Sequence, residues 1–320
     1  MKKISIITPC FNEEDNVERC YQVTKKMMKN DLPNYSYEHI FSDNASTDST
    51  FKILSSIAKK DKNVKVILNS RNVGPFRNMW NAMKNVSGDA VIPLLPADLQ
   101  DPVEVIPKFV NKWEKGDLVV YGVRTNRQES IIMRAARSMY YRIIRKFADA
   151  VIPINSGEFL LADIRVIKSV LDVDDEYPYI RGLIAQTGVK SSSVKYTWVR
   201  RERGKSKNSF IDLVDQAING FVSTSRVPAR IALLFGFILS LLGFIGAILT
   251  LTAFIIDRNS APVGIPTIIV SIFLFGGLQL LFFGILGEYI LSIHGQVRKT
   301  PKMFEIKKLN FTKDKNETKY

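Results

Sequence analysis

Two long runs without a charged residue constrain this chain more than anything else in it. Ile231 to Ile256 is 26 residues and Asn259 to Gly287 is 29, with only Asp257 and Arg258 between them. About 20 apolar residues let a helix cross the hydrocarbon core of a bilayer. The runs therefore predict a two-helix transmembrane hairpin over 229–293, with spans at 231–256 and 264–290. Arg226 and Arg230 precede it and Arg298, Lys299, Lys302, Lys307 and Lys308 follow it, whereas the connecting turn holds one arginine. The positive-inside rule then places both termini, and the large segment ahead of the hairpin, on the cytosolic side. Ile211, Val214, Ile218 and Phe221 share one helical face, so 208–228 reads as an amphipathic helix at the membrane interface. The tail, 294–320, is basic and is expected to lie on the inner leaflet or to be disordered.

Residues 1–207 have a different pattern. Ile4 to Pro9, His39 to Phe41, Val64 to Leu68, Ala90 to Leu95 and Leu118 to Val123 are short apolar runs. Helical patterns separate the first four, running to Met28, to about Lys60 and over Phe76 to Asn85. Val194 to Val199 reads as a further strand. Strands alternating with helices predict βαβ units and an α/β fold: a doubly wound, mostly parallel sheet covered on both faces. In such sheets ligands bind outside the carboxyl ends of the strands.

Those ends are polar here. The first leads into Asn12-Glu13, the second ends in Ser42-Asp43-Asn44, the third meets Arg71-Asn72-Val73-Gly74, and the fourth runs into Asp98-Leu99-Gln100-Asp101-Pro102. Asp43 can accept hydrogen bonds from a nucleobase or ribose. The oxygens of the fourth end suit a hard divalent cation, of the kind that accompanies phosphates. The plainer alternative for that end is a helix start, with Asp101 as N-cap and Pro102 at the first helical position. Neither a dinucleotide glycine fingerprint nor a P-loop is present.

The net charge of +14 predicts attraction to anions: nucleic acid, lipid headgroups or phosphorylated substrates. Arg124 to Lys146 holds seven basic residues against one acid, and Arg200 to Lys207 holds five against one. Both clusters lie ahead of the hairpin, and no nucleic-acid motif accompanies them, so a nucleic-acid partner is not expected. The second cluster surrounds Gly204 and suits either bidentate phosphate contact or anionic headgroups. Cys10 and Cys20 are the only cysteines, which fits a reducing compartment and excludes a zinc framework.

Taken together, these residues resemble the family 2 glycosyltransferases of the polyprenyl-phosphate type. That family includes dolichol-phosphate mannose synthase and the bacterial transferases that load glucose or aminoarabinose onto undecaprenyl phosphate. The resemblance runs over about residues 3–295. It rests on Ile7-Thr8-Pro9-Cys10-Phe11-Asn12-Glu13-Glu14, Asp43 to Asp48, Arg71 to Gly74, Pro96 to Pro102, Arg201 to Lys207 and the two spans after them. It implies a GT-A-like nucleotide-sugar domain and a membrane-bound, inverting transfer of one sugar from a nucleotide sugar, a UDP-sugar, to undecaprenyl phosphate. The processive signature Gln-x-x-Arg-Trp is absent.

By the same resemblance, Pro9, Asn12, Glu13, Asp43 and Asp98 bind the donor. Asp98 and Gln100 hold Mg²⁺ or Mn²⁺. Asp98, Asp101, Arg124 and Arg201 are catalytic. Arg127, Arg134, Arg201, Ser206 and Lys207 hold the lipid phosphate. The implied setting is the bacterial inner membrane, with membrane lipid as a partner and a homo-oligomer, a tetramer, as the assembly. Two departures stand out. Pro96 occupies the place of the first acid of the family's metal motif, and Asn44-Ala45 replaces an acid and a glycine near the nucleotide. The alternative function is a catalytically impaired, membrane-anchored nucleotide-binding scaffold.

Overall fold

The computed structural model describes residues 1–125, 153, 155–173, 175, 178–199, 234–239, isolated positions between 241 and 256, 265–298 and 303–311. The α/β part is built on β1 (Lys3–Cys10), α1 (Val17–Asp31), β2 (Ser36–Asp43), α2 (Thr50–Lys60), β3 (Val64–Asn69), α3 (Pro75–Met83) and β4 (Ala90–Ile92). A 3₁₀ turn, Val103–Val105, leads into α4 (Ile106–Glu114), followed by β5 (Val119–Thr125), β6 (Ser156–Asp163), α5 (Ile164–Leu171), α6 (Ile180–Gln186) and β7 (Ser191–Thr197). After α7 (Ile265–Val297) comes β8 (Glu305–Leu309).

All eight strands join one sheet in the order β7-β5-β6-β4-β1-β2-β3-β8. Strands β1 to β4 pair in parallel, as do β5 and β7; β6 and β8 run antiparallel to their neighbours. The chain winds outward from β1 through β2 to β3, then returns to place β4 on the other side of β1. That reversal opens a crevice at the carboxyl ends of β1 and β4. The expected doubly wound, mostly parallel sheet is present.

Alternation along β1 sorts the core into two layers. Ile4 and Ile6 pack with Val17, Cys20, Leu54 and Phe109 of α1, α2 and α4. Ile7 packs on the opposite face with Met79, Trp80, Ile167 and Ile180 of α3, α5 and α6. Cys10 and Cys20 are both free and buried.

Several elements differ from the sequence reading, among them β6, which it did not assign, and β7, which runs Ser191–Thr197 and not Val194 to Val199. Strand β2 begins three residues early and takes in Glu38, an acid 1% exposed. Its carboxylate is satisfied by Lys3, Lys65, Ser5 and the Ser87 amide. Burial opposes its charge, but these partners outweigh burial and hold its pKa down at about 2. Regular pairing in β4 stops at Ile92, because Pro93 has no N–H to give the ladder. The segment 305–309, expected on the leaflet or disordered, is an antiparallel edge strand on β3. Lys307 and Lys308 masked its alternation.

The chain divides into two units, Met1–Gln216 with Lys299–Tyr320, and Ala217–Arg298. The interfacial helix expected over 208–228 and half of the first apolar run lie outside the described residues. The backbone of α7 is continuous over 33 residues. Its side chains are described in part, and among the described residues no helix is long and apolar enough to cross a membrane.

Candidate functional site

The carboxyl ends of β1 and β2 bring together four of the expected donor residues, Pro9, Asn12, Glu13 and Asp43; the fifth, Asp98, follows β4. Pro9 pairs with Ser42 at the end of the β1–β2 ladder. Beyond it, Asn12 takes a left-handed backbone, φ 53°; its backbone amide donates to Ser46 Oγ at 2.9 Å and its side-chain Oδ1 accepts from the Thr47 amide at 2.7 Å. The Glu13 amide donates to Thr50 Oγ1 at 2.9 Å, and its carboxylate accepts from Asn16 Nδ2 at 2.6 Å. These bonds lock the loop after β1 to the loop after β2.

Asp43 is completely buried. Its Oδ1 accepts from the Ser46 amide at 2.8 Å, while Oδ2 is buried without a partner. Burial pushes its pKa up. An unmatched buried carboxylate oxygen is costly, and a donor supplied from outside would satisfy it. Asn44, where the family has an acid, has its amide fully engaged. Oδ1 accepts from the Val73 amide at 3.1 Å, and Nδ2 donates to Asn72 Oδ1 at 2.7 Å and Gly74 O at 3.3 Å. Asn44 thus ties the end of β2 to the turn Arg71–Gly74, whose Gly74 (φ 84°) lets α3 start at Pro75.

After β4 the chain turns tightly. The Leu99 amide donates to Pro96 O at 3.0 Å, Leu99 itself lies at φ 54°, and Asp98 Oδ1 accepts from the Gln100 amide at 3.2 Å. Asp98 and Gln100 are half-buried. Asp101 has a different fate. It is 1% exposed and takes two bonds from Arg124, Nε to Oδ1 at 3.0 Å and Nη2 to Oδ2 at 2.8 Å, with a third from the Tyr196 hydroxyl at 2.5 Å. It does not cap a helix; Pro102 precedes the 3₁₀ turn instead. Burial works against the Arg124 charge, but the Asp101 pair more than offsets it and raises the pKa. Burial, then Asp101, raises the Tyr196 pKa.

This geometry bears on the metal. Asp101 has its oxygens committed to Arg124 and Tyr196, and among the described residues no group of three His, Cys, Asp or Glu side chains could hold an ion. Asp98 with Gln100 is a partial oxygen set. It fits a divalent cation that takes its remaining ligands from substrate phosphates and water, the usual habit of Mg²⁺.

Two residues stand out that the sequence reading did not assign. Tyr196 closes the Asp101–Arg124 pair. Glu158, in the buried strand β6, has Oε1 3.9 Å from Arg181 Nε, and its Oε2 is buried without a partner. Burial raises its pKa, and Arg181 partly counters that. Its signal was an acid inside an apolar run, Phe159 to Ala162 being fully buried. The expected lipid-phosphate residues Arg127, Arg134, Arg201, Ser206 and Lys207 lie outside the described residues.

The family model described as Glycosyl transferase family 2 matches residues 5–178. The chain is 32% identical to the uncharacterized glycosyltransferase YkcC of Bacillus subtilis over 93% of this chain and 91% of the relative. It is 31% identical to a prophage bactoprenol glucosyl transferase homolog of Escherichia coli K12, over 94% and 97%. Among solved structures it is similar to Mycobacterium tuberculosis glucosyl-3-phosphoglycerate synthase in complex with Mn²⁺, UDP and phosphoglyceric acid. There the identity is 17%, the TM-score 0.45, and the coverage 68% of this chain and 75% of that one.

Proposed function

Because the chain belongs to glycosyl transferase family 2, we propose that it moves one sugar from a UDP-sugar to a polyprenyl phosphate, undecaprenyl phosphate, at the cytosolic face of a bacterial inner membrane. The observation that carries this reading is the match, end to end, to a relative named for bactoprenol glucosyl transfer. The empty hydrogen-bonding capacity of buried Asp43, at the edge where α/β sheets bind ligands, supports the donor half. The membrane half rests on the two uncharged runs and on α7, whose Phe275, Leu280, Phe283, Leu286 and Ile290 are exposed. Such a surface suits lipid better than water.

In this reading Asp43 Oδ2 accepts from the nucleobase, and Asn12 and Glu13 fix the loop that closes over it. Asp98 and Gln100 would hold Mg²⁺ or Mn²⁺; when bound, the cation would offset charge on the leaving group. Arg124, paired through two bonds with Asp101 and joined by Tyr196, fixes the turn that carries Asp98 and Gln100. Arg127, Arg134, Arg201, Ser206 and Lys207 hold the acceptor phosphate. An oxygen of that phosphate attacks the anomeric carbon as the bond to the diphosphate breaks, and the nucleoside diphosphate departs with the electron pair. The attack inverts the anomeric configuration. The phosphate is already a nucleophile near neutral pH, so no side chain has to remove a proton.

The test is transfer from a panel of labelled nucleotide sugars to undecaprenyl phosphate by the purified chain in detergent, with Mg²⁺, Mn²⁺ or EDTA. A labelled, chloroform-soluble product from one donor is expected. Nucleotide binding without product from any donor would favour the scaffold reading.

A further inference from the structure

Strand β8 does more than finish an edge. Its pairing follows β3 to the carboxyl end, where a register shift between Leu68 and Asn69 sets Glu305 opposite Asn69. One step further, the Ser70 amide donates to Phe304 O at 2.9 Å. Ser70 immediately precedes the turn Arg71–Gly74 that Asn44 anchors. On the far side of that turn is α3, and Glu305 reaches it too: Oε1 accepts from Asn81 Nδ2 at 2.6 Å and from Asn85 Nδ2 at 3.3 Å. Lys308 completes the bracket, with Nζ 2.9 Å from Asn85 Oδ1 and 2.5 Å from Glu305 Oε2.

The strand is locked at its other end by Asn310, at φ 63°. Its Nδ2 donates to Ala58 O at 2.6 Å and Val64 O at 2.8 Å. Phe311 follows, with Lys65 Nζ 4.8 Å from its ring centre. An added strand of this kind binds through main-chain bonds and is placed by its side chains.

We propose that Glu305, on the C-terminal strand β8, is a positioning residue for the nucleotide pocket: its side chain holds α3 through Asn81 and Asn85 while the neighbouring Phe304 O holds Ser70 just ahead of the Arg71–Gly74 turn, so strand docking and nucleoside-diphosphate binding strengthen one another. The proposal rests on the reading of that pocket as the nucleotide site. Coupling between two binding events is reciprocal and commonly amounts to about fivefold or more in affinity.

The experiment compares UDP affinity by calorimetry in the full chain, in Glu305→Ala, in Glu305→Gln and in a chain stopped after Thr300, all in detergent. Hydrogen exchange is read with and without UDP. Glu305→Ala and the shortened chain are expected to bind UDP at least about fivefold more weakly. Glu305→Gln, which keeps an oxygen for Asn81 and Asn85, is expected to recover most of the affinity. In the full chain, UDP is expected to slow exchange at Ile306 to Leu309. Exchange at Ile4 to Ile7 identifies any variant that has not folded, in which case the glutamine variant and the effect of UDP on β8 exchange decide the matter. Equal UDP affinity in all four chains, or β8 exchange blind to UDP, overturns the proposal alone. Absence of UDP binding in the unaltered chain overturns the nucleotide reading with it.

Discussion

Asp101 and Arg124 form a two-bond ion pair that is almost sealed from water, the carboxylate 1% and the guanidinium side chain 20% exposed. It joins the turn after β4 to strand β5, and Tyr196 of β7 closes it. Gly157 of β6 passes beneath: a Cβ there would lie 3.3 Å from Arg124 Nη2. Four segments distant in sequence thus meet on one guanidinium.

Removing either partner leaves a buried, unmatched charge. Asp101→Ala and Arg124→Ala are each expected to cost about 3–5 kcal/mol of stability. The double variant is expected to cost clearly less than the sum. Denaturant unfolding of the four chains checks this; additive losses would show that the pair is not coupled.

Asp98 lies in a half-buried turn, where its Oδ1 accepts from the Gln100 amide. Asp98→Ala is therefore expected to cost only about 1 kcal/mol of stability while lowering transfer by a factor of about 100 or more. Thermal unfolding and initial rates, measured on one preparation, separate the two effects. Full activity in that variant would falsify the assigned role.

Asp43→Asn puts an amide nitrogen or a neutral oxygen where a buried carboxylate oxygen awaits a donor. Losing a hydrogen bond to a charged acceptor is worth about 1.5–3 kcal/mol, so UDP is expected to bind about tenfold or more weakly. Stability should hold or rise, because the buried charge is gone. Calorimetry with UDP, alongside unfolding without it, reads both.

His39 makes stability depend on pH. It is 1% exposed, with Nε2 2.9 Å from Thr8 Oγ1 and Nδ1 buried without a partner. Burial pushes its pKa down to about 3 from 6.5. Below pH 6.5 the unfolded chain gains a proton that the folded one refuses, so stability falls as pH drops from 6.5 toward 3. At pH 5 the loss is about 2 kcal/mol. Glu38, also depressed when folded, adds its own loss only below about 4.5. Unfolding curves at pH 7 and pH 5 should show the loss in the unaltered chain and a flatter response in His39→Gln.

The α/β class, the order of the first four strands and the polar character of their ends are written in local patterns. An apolar run of four to six residues, a glycine or proline after it and a helical repeat need no distant partner to be recognised. Pro9, Asn12, Glu13 and Asp43, the residues that the family resemblance implies for the donor, also lie where β1 and β2 stop, a position that local pattern alone marks out. What the tertiary structure alone decided is the pairing of charges across the chain. Asp101 reads in sequence as a helix cap or, by resemblance, a catalytic acid; only the fold brings Arg124 and Tyr196, 23 and 95 positions away, onto its carboxylate. Glu38 broke the apolar pattern of β2 because its partners, Lys3, Lys65 and Ser87, come from other segments. Glu305 to Leu309 has the charge of a solvated tail and becomes a strand only because β3 offers it an open edge. Hydrophobic periodicity is a property of neighbours in sequence, whereas the stability of a buried charge belongs to neighbours in space.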